Sequence, residues 1–76
     1  MSSEDAVSLS DREREVLDLL ARGCNNAEIA ERLYLSLSTV KHHVSRVLDK
    51  LGVDNRLQAA AYAIRHRLVD DYSVSG

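Results

Sequence analysis

One short grammar recurs along this proline-free chain: a small polar residue, then three positions later a side chain able to reach back toward it. Ser10-Asp11-Arg12-Glu13, Asn25 with Glu28, and Asn55 with Gln58 each read as a capping box. The first side chain accepts from a backbone N–H of the opening turn, and the second returns to the backbone at the cap. Ser36 with Thr39 marks a fourth helix start. Gly23 and Gly52 fit the left-handed stops that follow a helix. The punctuation predicts four short helices, and no segment alternates as a paired strand would.

Apolar residues fill these frames at helical spacing. Val16, Leu17, Leu20 and Ala21 share a face of the first helix, and Ile29, Ala30 and Leu33 form the stripe of the second, over about 26–34. The third, over about 37–51, carries Val40, Val44, Val47, Leu48 and Leu51. Valine is a poor helix former in isolation, so this helix needs tertiary packing to hold it. In the fourth, Leu57, Ala60, Ala61, Ile64 and Leu68 form one face, and Ala59 and Ala63 a second, flatter one. The predicted fold is all-α, a compact four-helix domain over 9–69. Disordered segments are expected at 1–8 and 70–76.

A chain of 76 residues supports one small domain. Its single cysteine, Cys24, makes no internal disulfide, and His42, His43 and His66 fall into no zinc-ligand spacing. Neither a metal nor a cofactor is expected. No nucleophile–base arrangement or glycine-rich phosphate loop appears, so an enzyme is the least supported class. The acidic start is unlike a signal peptide, and the longest apolar run, 59–64, is too short to span a bilayer. The expected location is the cytoplasm, with no membrane partner.

The net charge of −2 argues against a nucleic-acid partner until its distribution is considered. Residues 1–33 carry eight acids and four bases, whereas residues 34–67 carry six bases and two acids. A polyanion meets local charge, because salt screens beyond about 10 Å. With the valine stripe of the third helix turned inward, Ser38, His42, Ser45 and Asp49 point outward. Lys41 flanks them on one side, and Thr39, His43, Arg46 and Lys50 on the other. Short hydrogen-bonding side chains edged by cations suit a major groove. Any solvated helix face can have this composition, so pattern alone leaves both readings open. The second and third helices, with a short turn between them, have helix-turn-helix lengths.

Four blocks, in order, carry a resemblance: Leu9-Ser10-Asp11-Arg12-Glu13-Arg14-Glu15-Val16-Leu17; Asn26-Ala27-Glu28-Ile29-Ala30; Ser38-Thr39-Val40-Lys41-His42-His43-Val44; and Lys50-Leu51-Gly52-Val53. Together they closely resemble the LuxR-type (NarL/FixJ/GerE) helix-turn-helix domain of bacterial transcription regulators, from about Leu9 to Leu68. The resemblance implies sequence-specific binding of duplex DNA. It implies base contacts from Lys41, His42 and Ser45, and phosphate contacts from Thr39, Lys50 and Arg56, with Asn26 at the start of the second helix as a further candidate. Arg46 joins the phosphate set from its place on the flank. Glu15 matches a first-helix acid of structural character, and the fourth helix matches the element through which such domains pair as homodimers.

Ala59, Tyr62, Ala63 and His66 are the candidate dimer seam. The competing reading has that face cover the core or remain exposed in a monomer. The first turn, Arg12 to Glu15, reads as solvated and internally paired, and Cys24 as a packing residue. A second functional class stays open: a helical protein-interaction module contacting RNA polymerase or another regulator, motivated by the acidic first half.

Overall fold

The computed structural model describes residues 8–68. Its elements are α1 (Asp11–Ala21), α2 (Asn26–Leu33), α3 (Leu37–Leu51) and α4 (Arg56–Arg65). Expectations for residues 1–7 and 69–76 lie outside this span. At the start of this span the Ser8 carbonyl accepts from Lys50 Nζ at 3.1 Å.

The caps form as the sequence predicts at α1 and α2. Ser10 Oγ accepts from Glu13 N at 3.1 Å while Glu13 Oε1 accepts from Ser10 N at 3.0 Å, and Asn25 and Glu28 exchange the same pair at 2.8 Å each. At α4 the box is displaced by one residue. Asn55 caps Gln58 N at 2.9 Å, but Gln58 Oε1 accepts from Asp54 N at 2.8 Å. Gly52 closes α3 with φ 70°. The stop of α2 is Tyr34, a left-handed tyrosine with φ 58° whose side chain is 94% exposed. No glycine announces that stop, and the three-residue link to α3 turns on it.

α1 is the hub of the core, packed against both α3 and α4, while α2 lies on α3. Val16, Leu17, Ile29, Val40 and Val47 are fully enclosed, with Leu20, Val44 and Leu51 around them. This dense aliphatic contact stabilises the three-valine helix, each enclosed side chain contributing about 1.5–3 kcal/mol.

One expectation requires correction here. Ala59 and Ala63, expected in the dimer seam, are fully buried in the core. With no exposed surface, neither can touch a second copy. The other face is split: Leu57 is 78% exposed and Ala61 exposed, Ile64 is half-buried, and Ala60 and Leu68 pack against the core. Alanine at both faces made the two sides of α4 indistinguishable by hydropathy.

Candidate nucleic-acid interface

The stripe of Val40, Val44, Val47 and Leu51 anchors one side of α3, which fixes what the other side presents. Ser38, Lys41, His42, Ser45, Arg46 and Asp49 are all exposed, and Thr39 and His43 are half-buried at the edges. The expected base-reading residues, Lys41, His42 and Ser45, therefore share a single open surface.

Hydroxyl groups gather where α3 begins. Ser36 Oγ accepts from Thr39 N at 3.1 Å and donates to Thr39 Oγ1 at 2.8 Å, with Ser38 Oγ 3.3 Å away. Because Thr39 Oγ1 is an acceptor in that pair, its own proton is free to bond an outside acceptor such as a phosphate oxygen. The backbone N–H groups of the first turn add a positive helix end.

Arg56 joins the starts of α4 and α2. It donates from Nη1 to Asn26 Oδ1 at 2.7 Å and from Nη2 to the Cys24 carbonyl at 2.7 Å. Asn26 thus has its carbonyl oxygen held inward, and its NH2 group remains available as a donor. Arg56, expected to touch phosphate, is half-buried and engages the protein with both Nη groups.

On the opposite flank lies a feature the sequence reading did not find. Glu13 is buried, its side chain 4% exposed, beneath Arg46 and Lys50. Arg46 Nε donates to Oε2 at 3.0 Å, and Lys50 Nζ donates to Oε1 at 2.7 Å. Lys50 and the Ser10 backbone N–H hold the carboxyl down at about 2 despite burial, with Arg46 adding to them. The first turn is accordingly not wholly solvated. Arg12 and Glu15 do pair along the helix at 3.2 Å in the open, so the structural acid of α1 is Glu13 and not Glu15. Glu13 already had an apparent purpose in the capping box, and partners 33 and 37 residues away leave no local signal.

Among the described residues no cluster of three metal-binding side chains occurs, and no helix is long and apolar enough to cross a membrane. Cys24 is half-buried against the core, as a packing residue would be.

These elements define a helix-turn-helix domain whose second helix of the pair, α3, presents a polar and cationic outer face. The family profile described as "Bacterial regulatory proteins, luxR family" matches residues 7–63. The chain belongs to that family, as its helix-turn-helix DNA-binding domain. It is 50% identical over 62 residues to the transcriptional regulatory protein LnrK of Bacillus subtilis (strain 168), a match covering 82% of this chain and 28% of LnrK. It thus spans under a third of that relative's length. The structure of the transcription factor GerE superposes with a TM-score of 0.74 at 37% identity, covering 82% of this chain and 92% of GerE. A Vibrio cholerae VqmA structure, described as a dimer in the absence of its target DNA, superposes with a TM-score of 0.81 at 27% identity. That match covers 96% of this chain and 34% of VqmA.

Proposed function

We propose that this domain reads a specific duplex DNA sequence by laying α3 in the major groove, and so directs transcription in a bacterial cytoplasm. The observation that supports this is the single open surface of Lys41, His42 and Ser45 over the buried valine stripe. Lys41 and His42 reach base edges, Ser45 approaches closely as a short donor or acceptor, and Thr39 and the Asn26 amide hold phosphates at the helix-turn-helix side. Arg46 and Lys50 face the backbone on the other flank. The mechanism is equilibrium binding without bond making.

A second copy reads the other half-site. The stripe of exposed Leu57 and Ala61 with half-buried Ile64, at i, i+4 and i+7 on α4, supports pairing through the side opposite Ala59 and Ala63. Tyr62 leans on the core and stacks with His66 at 4.2 Å, on the flank of α4 rather than along this stripe.

The test is selection from a randomised duplex pool at several salt concentrations. Enrichment of a two-fold symmetric motif, with affinity falling steeply as salt rises, is the expected result. Lys41→Ala should then weaken binding to the selected site by about 1–3 kcal/mol and leave the fold intact. Failure of the folded protein to retain DNA at low salt would sink this reading in favour of a protein-interaction module.

A further inference from the structure

Two of the cations on the DNA-facing flank are not free charges. Arg46 and Lys50 lie one helical turn apart on α3, and both are hydrogen-bonded to one buried carboxylate on α1. Lys50 is held twice, since Nζ also donates to the Ser8 carbonyl at 3.1 Å. Both nevertheless reach solvent, with side chains 52% exposed for Arg46 and 33% for Lys50. Arg46 uses Nε toward Glu13, and its Nη groups make no hydrogen bond among the described residues. The group of three therefore presents one net positive charge where the sequence suggests two, with its donors fixed in direction.

We propose that Glu13 is a specificity-determining residue for DNA binding that acts through Arg46 and Lys50. The inference rests on the DNA-reading function proposed above. Sequence-independent affinity grows with each phosphate a mobile cation can neutralise, whatever the register of the helix in the groove. A carboxylate beneath the two cations removes half of that indiscriminate attraction. It also restrains the remaining donors to one direction, so they meet phosphates only when α3 is seated in its reading position. Glu13 thus widens the gap between specific and non-specific binding by weakening the latter.

The geometry makes Glu13→Gln the informative variant. It keeps the shape and an acceptor for Lys50 and Ser10, removes the charge, and turns a donor toward Arg46. Affinity should be measured against salt on the selected site and on a scrambled duplex of equal length. The expected result is a salt slope about one unit steeper and scrambled-duplex affinity about three- to tenfold higher at low salt, so that the specificity ratio falls. Adding Arg46→Met to Glu13→Gln should return the slope to the wild-type value. A folded Glu13→Gln protein with wild-type slope and ratio overturns the inference, leaving Glu13 a purely structural ion-pair partner. Should the variant not fold, the Arg46 Nε–H resonance of the wild-type protein decides on the scrambled duplex. Slow proton exchange is the expected result, and exchange accelerated by departure to a phosphate overturns the proposal. Absence of salt-dependent binding by the wild-type protein would instead be a failure of the DNA-reading function itself.

Discussion

A carboxylate with almost no exposed surface is held ionised in Glu13 by two cations and a backbone N–H, and the acid limb of the stability profile depends on it. Its pKa is lowered in the folded protein from 4.5 to about 2. A lowered folded-state value means the unfolded chain binds the proton more readily. The stabilisation from Glu13 is therefore complete above about pH 4.5 and is lost as pH falls toward 2. Denaturant unfolding followed by circular dichroism should show stability declining across that window, and Glu13→Gln should flatten the decline. A wild-type profile unchanged by the substitution would contradict the assignment. His42 and Ser45 illustrate the complementary case. Their openness follows from helical phase alone, so which side of α3 meets solvent was legible without any knowledge of neighbours.

At the scale of elements, the stop of α2 is the most exposed to improvement. Tyr34 sits at φ 58°, a region that costs a residue with a Cβ about 1–2 kcal/mol, and its ring is almost wholly in solvent. Tyr34→Gly should raise stability by about 0.5–1 kcal/mol after the entropy of glycine is subtracted. The readout is a higher urea midpoint at unchanged slope; a lower midpoint would mean the ring makes a contact that matters. Helix starts were legible because each cap is a local transaction: Ser10, Asn25, Ser36 and Asn55 all cap as their sequence context implies. The end of α2 near Tyr34 was legible too, but its left-handed backbone was not, because a non-glycine residue in that region is imposed by the turn and has no composition of its own. The inward face of α4 was misread for a different reason. Alanine carries too little hydropathy to reveal that the packed side is the one bearing Ala59 and Ala63. Ion pairs between elements, as at Glu13, are set by the tertiary arrangement and are invisible to any local pattern.

At the scale of the whole molecule, α1 buries the core while α3 and α4 are left with one free face each. The two faces make separable contributions. Leu57→Glu, at a side chain 78% exposed, should leave domain stability within about 0.5 kcal/mol of wild type. Binding to a duplex with a single half-site should be unchanged, whereas affinity for a two-fold symmetric duplex should fall about tenfold or more as the second copy no longer adds to the first. Sedimentation of the complexes would report this directly. Equal loss on both duplexes would place Leu57 in the DNA contact and not in pairing.

The two sides of α4 should tolerate substitution differently. Ala59 and Ala63 have no exposed surface, so a larger side chain at either should overpack the core. The exposed Leu57 and Ala61 should change with little effect on the fold. A duplicated gene could therefore alter which copies associate while keeping the reading helix untouched, and paralogues in one cell could become insulated from mixed pairs. Mutability along this one ten-residue helix should thus alternate with its phase, with lineage-specific change concentrated on the face that solvent now sees.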